Sequence, residues 1–316
     1  MSPSSLPTSV SLQPIIQRWE RLGAELGTDL YVVRDDLLPF PLAGNKVRKL
    51  SAEFAAMDPR VGIVLSNGDT NSNHCRTLAW MASLTGRRAH CVLHATSDSD
   101  PLGLDFLAAL GATYEVVEPP LIGETLDRRR GEHEASGHPA IVLAGGGHST
   151  LGAVAYRDAG TQVFEQLGSA RVYVASGTGA TQGGLVAAAS VTGNNADVVG
   201  VSVARRKSRG KGPVAEAACW AGAVSPIVDF RDDFVAGGYG KWDERITEAV
   251  RRGWAFGLPL DPTYTGKAFA ALLSDAQKGE MTEKTVFWHT GGLANWVAGA
   301  AGGGLSEQKQ VWSRAR

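Results

Sequence analysis

Short runs of β-branched and apolar residues alternate along the chain with longer segments in which apolar residues recur every three or four positions. The short runs predict strands, and the longer segments predict amphipathic helices. The predicted strands are 30–34, 61–66, 89–94, 113–117, 140–143, 171–175, 198–203 and 285–289. The predicted helices are 45–57, 73–85, 102–110, 121–136, 150–167, 181–192, 242–256 and 267–278. Strands separated by helices indicate parallel sheets with helices on both faces, which is an α/β fold.

Composition excludes some partners without changing this picture. The chain has 316 residues, enough for two domains, with 31 basic and 32 acidic residues and a formal net charge of −1. Such a balance does not indicate a nucleic acid or an anionic membrane as partner, and we expect neither. Residues 205–211 form one strongly basic run, which we interpret as a solvated loop. A site for an anionic ligand is the alternative interpretation.

The cellular compartment is indicated by what the sequence does not contain. No apolar run reaches the ~18–20 residues that span a bilayer, and the N-terminus shows no signal-peptide pattern. Cys75, Cys91 and Cys219 stand far apart and form neither a metal-binding spacing nor a disulfide framework. We therefore expect a reduced, cytoplasmic protein without a metal site.

A glycine-rich turn follows the predicted strand 171–175. It reads Ser-Gly-Thr-Gly-Ala-Thr-Gln-Gly-Gly over residues 176–184 and leads into a helical pattern. A strand, a glycine-rich turn and a helix N-terminus leave backbone N–H groups free to bind an anion. The dinucleotide-binding spacing fails because Gln182 stands where a glycine is needed, and no Gly-Lys-Ser/Thr follows as in a P-loop. We predict a site for a single phosphate, with a tight turn that binds nothing as the alternative.

Lys46 stands at the start of the predicted helix 45–57, directly after Asn45, which is suited to cap that helix. Burial and the positive end of the helix dipole would both lower the pKa of this lysine. A nucleophilic lysine needs a lowered pKa, because the usual value of ~10.4 keeps the amine protonated at neutral pH. The alternative is an ordinary surface lysine in a first helical turn.

A polar loop follows the predicted strand 61–66 and opens the next helix. It contains Asn71, Ser72, Asn73 and His74. Such a loop at a helix N-terminus suits a carboxylate, the group that every α-amino acid carries. The alternative is that Ser72 or Asn73 serves only as a helix cap.

These segments, taken in chain order, resemble those of a known family. They are Arg-Asp-Asp-Leu at 34–37, Gly-Asn-Lys-Val-Arg-Lys-Leu at 44–50, Asn-Ser-Asn-His-Cys-Arg at 71–76, Gly-Thr-Gly-Ala-Thr at 177–181, Asp-Pro-Thr-Tyr-Thr-Gly-Lys-Ala at 261–268 and His-Thr-Gly-Gly-Leu at 289–293. Each motif is weak alone, but their order resembles the family of D-cysteine desulfhydrase and 1-aminocyclopropane-1-carboxylate (ACC) deaminase. That family belongs to the tryptophan-synthase-β-like, fold-type II enzymes that depend on pyridoxal 5′-phosphate (PLP).

The resemblance implies PLP as cofactor and assigns residues to it. Lys46 would carry PLP as a Schiff base, and Asn73 would hydrogen-bond its phenolic oxygen or the substrate carboxylate. Tyr264 would lie beside the cofactor ring, and Thr290 would face the pyridine nitrogen. The phosphate would be held by Gly177, Thr178, Gly179, Ala180 and Thr181.

A small amino-acid substrate is implied by the same resemblance. The predicted substrate-binding residues are Asn71, Ser72, Asn73, His74 and His148. The predicted catalytic residues are Lys46, Ser72 and Tyr264. His148 stands in a Gly-Gly-His-Ser turn where the family has Gly-Gly-Ser-Asn. It could donate to an anionic side chain or act as an acid for a leaving group, and an ordinary turn histidine is the alternative.

Two threonines bear on the type of reaction. ACC deaminases of the family carry a glutamate after the tyrosine that corresponds to Tyr264, whereas this chain has Thr265. A neutral Thr290 hydroxyl would leave the pyridine nitrogen largely unprotonated, which favours β-elimination over transamination. We therefore expect a PLP-dependent lyase that converts a β-substituted, D-cysteine-like alanine to pyruvate and ammonia. The alternatives are an ACC-type deaminase, a racemase or a β-replacement enzyme, and a PLP-binding protein without turnover.

The resemblance also implies an architecture. The expected fold is α/β with two open, parallel-type sheets flanked by helices and the cofactor in the interdomain cleft. Residues 1–55 and 160–316 would form a large PLP-binding domain, and residues 56–159 would form a small inserted α/β domain. A homodimer is the expected assembly.

Overall fold

The fold is known from a computed structural model that describes residues 12–40, 42, 44–95, 101–194 and 196–301. All the predicted strands and helices are present, with ends that differ by a few residues. The strands are β1 Ile16–Arg18, β2 Asp29–Arg34, β3 Ile63–Asp69, β4 Arg88–His94, β5 Thr113–Val116, β6 Ala140–Val142, β7 Arg171–Ser176, β8 Asp197–Ser202, β9 Asp229–Arg231 and β10 Lys284–His289. The helices are α1 Glu20–Leu26, α2 Asn45–Ala56, α3 Asn73–Leu84, α4 Pro101–Ala109, α5 Ile122–Ala135, α6 Thr150–Leu167, α7 Ala180–Val191, α8 Lys207–Trp220, α9 Glu244–Ala255, α10 Thr265–Gln277 and α11 Leu293–Ala301.

The chain divides into two compact units. The larger unit comprises residues 12–52 and His148–Leu293, and the smaller unit comprises Glu53–Gly147 and residues 294–301, each in its described part. The sequence-based proposal placed the boundaries of the inserted segment at 56 and 159 instead. Residue 159 lies in the middle of α6, and α6 packs as one continuous helix within the larger unit.

The larger unit contains a six-stranded sheet in the order β1-β2-β10-β7-β8-β9. All neighbours in it are parallel except β1, which runs antiparallel to β2. Both faces of β7 are buried: Val172 and Val174 contact α6 and α7, while Tyr173 and Ala175 face the cluster formed by α1, α9 and α10. A strand covered on both faces must be apolar throughout, which is why β7 reads as a continuous hydrophobic run.

The smaller unit is a second parallel sheet, in the order β5-β4-β3-β6. Ile63 and Leu65 of β3 and Val92 of β4 pack with Leu126 of α5. None of the helices in the described ranges is long and apolar enough to span a membrane.

The interpretation of the basic run 205–211 as a solvated loop is corrected by the structure, because α8 begins at Lys207. Pro213 lies inside this helix and removes one backbone hydrogen bond. The helix nevertheless forms because Ala217 and Ala218 are buried in the core cluster that α6 and α7 share. Packing outweighed local propensity at this segment. Four short elements were also not predicted, namely β1, α1, β9 and α11. The strands β1 and β9 have three residues each, which is too few to show a period.

Candidate active site

The glycine-rich turn lies at the carboxyl end of β7, an interior strand of the larger sheet, as the sequence predicted. Gly179 begins α7 with φ +112°, and no side chain caps the helix. The hydroxyl of Ser176 is buried and has no hydrogen-bond partner among the described residues. An uncapped helix N-terminus beside an unpaired buried hydroxyl suits an anion. The residues present therefore fit the phosphate of the implied cofactor.

The middle of α8 packs closely against this turn. A Cβ on Gly179 would lie 3.1 Å from backbone atoms of Pro213 and Val214, so a side chain at this position would be crowded. Arg205, at the start of the basic run, donates from Nη1 to the carbonyl of Thr178 at 3.4 Å. The basic run thus places a guanidinium beside the glycine-rich turn.

Lys46 lies in the first turn of α2, next to that loop. The Asn45 side chain donates from Nδ2 to Oγ1 of Thr181 at 3.0 Å, and the Asn45 N–H donates to the carbonyl of Thr290 at 3.0 Å. Gly44 is required here, because a Cβ would lie 2.6 Å from the Thr290 oxygen. The fold thereby brings three of the predicted cofactor-binding residues together: Lys46, Thr181 and Thr290.

The electrostatic environment of Lys46 suits a nucleophile. Its side chain is half-buried, and desolvation lowers its pKa from 10.5 to about 8. A second lysine, Lys49, lies one turn later and is fully buried, with its ammonium 5.7 Å from the ring centroid of Tyr156. Burial, and then the charge of Lys46, hold the pKa of Lys49 well below its usual value. Sequence reasoning missed Lys49, because the pattern there showed only a second lysine in a helix.

Tyr264 immediately precedes α10 and is positioned by Asp261. The buried Asp261 carboxylate accepts hydrogen bonds from the backbone N–H groups of Thr263, Tyr264 and Thr265 at 2.9–3.0 Å. It also accepts from the hydroxyl of Thr265 at 2.7 Å. Desolvation raises the pKa of Asp261, and these four donors oppose the shift because they favour the charged form. The Thr265 hydroxyl is therefore used inside this turn.

The same carboxylate connects two of the predicted motifs. Gly292 has φ +106°, and a Cβ built on it would lie 2.2 Å from Oδ1 of Asp261. We expect Gly292→Ala to destabilise the protein by roughly 2–4 kcal/mol through backbone strain and overpacking, measured by denaturant unfolding. Gly279→Ala is the matched control, because Gly279 also has a positive φ but has open space around it. Equal losses in the two variants would contradict the proposed contact with Asp261.

His148 lies just before α6, with its ring 5.1 Å from that of Trp220. Its Nε2 is 4.0 Å from Oε2 of Glu216, and its buried Nδ1 has no hydrogen-bond partner within the described part of the chain. Desolvation, followed by the charges of Lys49, Arg205 and Lys46, lowers its pKa to about 4. His148 is therefore neutral at physiological pH, so it can donate one N–H but has no acidic proton to give.

The substrate-loop residues lie in the smaller unit, at the start of α3. Ser72 caps that helix by accepting from the N–H of Cys75 at 3.3 Å. The Asn73 side-chain oxygen accepts from Arg76, which in turn contacts Asn295. The capping alternative for Ser72 is therefore realised, and a capping hydroxyl keeps its own proton to donate.

The other two residues of this loop differ in how they are used. His74 is buried with Nε2 2.8 Å from the hydroxyl of Ser66, and that hydroxyl donates to the carbonyl of Leu143. Since the Ser66 proton is already donated, the His74 ring must donate from Nε2. Asn71 donates its backbone N–H to Asp69, and its side-chain oxygen is buried without a hydrogen-bond partner among the described residues. Asn71 thus presents an unused polar atom, whereas the His74 ring is used within the fold.

The fold and these residues define a class of protein. It is an α/β protein with two mostly parallel sheets, a glycine-rich turn and an uncapped helix N-terminus after an interior strand, and a desolvated lysine tied to that turn through its neighbour. The model of the family described as "Pyridoxal-phosphate dependent enzyme" matches residues 10–291. The chain therefore belongs to this family.

Individual relatives narrow the class further. A D-cysteine desulfhydrase of Salmonella paratyphi B is 31% identical over 297 residues, which cover 86% of this chain and 89% of the relative. A Pyrococcus horikoshii protein provisionally named 1-aminocyclopropane-1-carboxylate deaminase is 30% identical over 289 residues, or 88% of this chain and 89% of that one. A solved structure of an ACC deaminase homologue matches with a TM-score of 0.82 at 28% identity over 93% of each chain.

These findings confirm the predicted family, fold class and cofactor. The chain is a fold-type II, PLP-dependent enzyme of the ACC deaminase and D-cysteine desulfhydrase type. The names of its relatives span two reactions, so the substrate is a separate question.

Proposed function

We propose that this enzyme is a lyase that eliminates the β substituent of a small, D-cysteine-like amino acid, with pyruvate and ammonia as products. The observation that carries the proposal is the placement of Lys46: a half-buried amine with a pKa of about 8, tied through Asn45 to the phosphate loop and to Thr290. PLP, when bound, supplies a sink for the electrons released at Cα. The remaining chemistry is left to the side chains of this chain.

Each predicted residue has a role in this proposal. Lys46 holds the cofactor and, once its amine is free, takes the proton from Cα, which its lowered pKa permits near neutral pH. The N–H groups of the turn 177–181 and the Thr178 and Thr181 hydroxyls hold the phosphate. Tyr264 would flank the ring of bound PLP and move a proton, and Thr290 would be the neutral group at the pyridine nitrogen.

The substrate carboxylate is assigned to the loop 71–74. Asn71 and Asn73 offer amide groups, and Ser72 offers its hydroxyl proton, to the carboxylate of the amino acid. His74 contributes through its backbone, since its ring is bonded to Ser66. His148 acts as a neutral donor toward the substrate side chain, because its pKa of about 4 leaves it uncharged.

Elimination is favoured by neutral groups at two motifs. The position after Tyr264 is occupied by Thr265, whose hydroxyl is bonded to the buried Asp261, so no carboxylate comes from this position. Thr290 is likewise neutral. Neutral groups at both positions would not keep the pyridine nitrogen of bound PLP protonated, so PLP would be a weaker electron sink there and loss of a β leaving group would be favoured.

ACC deamination is the second candidate function, and the name of the Pyrococcus horikoshii relative favours it. The two candidates differ in product: β-elimination gives pyruvate, whereas opening of ACC gives 2-oxobutanoate, each with ammonia. Purified holoenzyme should be assayed with D- and L-cysteine, β-chloro-D-alanine and ACC, with products separated by mass spectrometry. Pyruvate from a D substrate supports the proposal, and 2-oxobutanoate from ACC alone would replace it with the second candidate. Racemised substrate, or no product from any of the four, would overturn both.

The pH dependence of cofactor capture tests the role of Lys46 without turnover. Only the neutral amine attacks a carbonyl, and burial lowers the pKa of Lys46 to about 8. The neutral fraction rises with pH, so the rate of borohydride-trappable PLP capture by cofactor-free protein should rise about tenfold per pH unit below pH 8 and level off above it. Stopped-flow absorbance would measure the profile. A rate that keeps climbing beyond pH ~10 would mean that an ordinary, solvated lysine captures PLP.

We further propose that the enzyme is a cytoplasmic homodimer. The three cysteines are free thiols, two of them buried, which suits a reducing compartment. The dimer rests on the resemblance to the family. Light scattering on purified protein would measure the assembly, and a mass of one chain, 33.2 kDa, would rule the dimer out.

A further inference from the structure

Lys267 is a lysine of the 261–268 motif to which neither the sequence nor the proposed mechanism assigns a role. Its side chain is completely buried on α10. The ammonium donates to the backbone carbonyls of Val203 at 2.8 Å, Val235 at 2.8 Å and Gly238 at 2.9 Å. All three N–H bonds of the ammonium are thus used, and every acceptor is a backbone carbonyl.

This arrangement resembles the coordination of a monovalent cation. Buried carbonyl oxygens that converge on one point repel each other unless a positive charge stands between them, and such oxygens replace the hydration shell of potassium in proteins. An ammonium group has the charge and nearly the size of a potassium ion. Burial lowers the pKa of Lys267 to about 8, and the three acceptors oppose that shift because they favour the charged form.

One of the three carbonyls borders the phosphate loop. Val203 follows β8, and its N–H donates to the carbonyl of Ser176 at 3.1 Å. A Cβ built on Gly177 would also lie 3.6 Å from the Val203 side chain. A displacement of the Val203 carbonyl would therefore reach the start of the turn that binds the phosphate.

The other two carbonyls belong to a loop with a strained backbone. Ala236, Gly237 and Gly238 all have positive φ, at 51°, 91° and 141°. An alanine in that region is strained, so surrounding contacts must hold the loop. The Lys267 ammonium contacts this loop on both sides of Ala236.

This loop carries Tyr239, which reaches the site. The hydroxyls of Tyr239 and Tyr264 share a short hydrogen bond, and their rings meet edge to face with centroids 5.8 Å apart. Lys267 also lies one turn after Tyr264, and the backbone N–H of Lys267 donates to the Tyr264 carbonyl at 3.2 Å. The ammonium therefore fixes the loop, the loop fixes Tyr239, and Tyr239 orients Tyr264.

We propose that the Lys267 ammonium is a tethered monovalent cation and a positioning residue: it clamps three backbone carbonyls, and a free potassium or ammonium ion replaces it when the side chain is removed. The clamp itself does not depend on the reaction catalysed. Its effect on turnover rests on the proposed function, through Tyr264.

The first experiment is cation rescue of Lys267→Ala, read on the cofactor-free protein. The variant is melted in choline chloride, sodium chloride, potassium chloride and ammonium chloride at equal ionic strength. We expect potassium and ammonium to raise its melting temperature by roughly 2–4 °C at about ten times their Kd, and sodium to raise it less. Wild type and Lys278→Ala, an exposed lysine at the end of the same helix, should show no difference between the four salts. Equal melting of Lys267→Ala in all four salts would overturn the proposal.

A second variant, Lys267→Gln, keeps the proposal testable if the alanine variant does not fold. Glutamine fills the space and donates two N–H bonds but carries no charge, so it should admit no cation. We expect faster hydrogen exchange at residues 235–240 and a kcat/KM at least about tenfold lower than wild type, since a displacement of ~1 Å at a site can cost ~10²-fold. Potassium should restore neither the slow hydrogen exchange nor the kcat/KM of Lys267→Gln. If the hydrogen-exchange rates at 235–240 in Lys267→Gln equal those of wild type, the clamp is overturned. If the exchange rates change but turnover does not, the clamp stands and only the proposed role of Tyr264 is refuted.

Discussion

Replacing Lys46 by alanine is expected to lower kcat at least ~10³-fold and to abolish borohydride-trappable PLP capture. The variant loses both the amine that holds the cofactor and the base proposed for Cα, and a positioned base alone contributes about 10²–10⁴-fold. Lys46→Arg should be equally inactive, because a guanidinium stays protonated and cannot attack a carbonyl. Turnover by pyruvate or 2-oxobutanoate release, and mass spectrometry of the reduced protein, would measure the two losses.

The control must separate chemistry from folding. A desolvated ammonium is a stability cost, so cofactor-free Lys46→Ala should unfold at the same denaturant concentration as wild type or a higher one. Because the folded pKa of about 8 lies below the unfolded value of 10.5, the unfolded chain binds more protons between these pH values. Wild type should therefore gain stability relative to the variant as pH rises from 8 to 10. Retained PLP capture in Lys46→Ala would move the cofactor site to another lysine, and Lys49 would be the first to test.

Replacing Asp35 by alanine is expected to destabilise the cofactor-free protein by about 3–5 kcal/mol. The Asp35 carboxylate is fully buried and accepts from Arg48 at 2.8 Å, Tyr156 at 2.6 Å and Trp288 at 2.8 Å. Removal of the Asp35 carboxylate leaves the buried guanidinium of Arg48 without its counter-charge and the Tyr156 and Trp288 donors without an acceptor. Leaving these groups buried and unpaired costs far more stability than replacing both members of the ion pair by apolar groups. Denaturant unfolding would measure the change in free energy.

This network matters for the site because of where its members lie. Arg48 is two residues after Lys46 on α2, and Trp288 is two residues before Thr290 on β10. Asp35 thus fixes the helix that carries Lys46 against β10, the strand that directly precedes Thr290. We expect Asp35→Ala also to weaken PLP binding.

A matched carboxylate at the surface provides the control. Asp58 pairs with Arg60 at 2.6 Å, and both side chains are exposed. Asp58→Ala should cost far less stability than Asp35→Ala, because an exposed pair gains little from its charge. Similar losses for Asp35→Ala and Asp58→Ala would show that the buried network contributes no more than a surface ion pair.

The glycine-rich turn and the cap of α3 could be predicted because both are local in the chain. A strand, a glycine-rich turn and a helix N-terminus follow each other at 171–181, so the residue pattern itself displays these elements, and phosphate binding by the turn stays a prediction. The same holds for Ser72, whose capping role was one of two predicted alternatives. For the basic run 205–211 local pattern failed, since Pro213 and two glycines argue against a helix that packing nevertheless stabilises.

The sequence by itself determined the α/β class, the order of strands and helices, the family and the cofactor, because each depends on residue period or on motifs that are contiguous in the chain. Only the tertiary structure decided how those motifs are used. It placed Thr290 against Asn45 and brought Asp261 against Gly292. It also lowered the pKa of Lys46 and made His148 neutral. Desolvation and contacts between distant segments depend on which parts of the chain pack together, and no local pattern of residues records that.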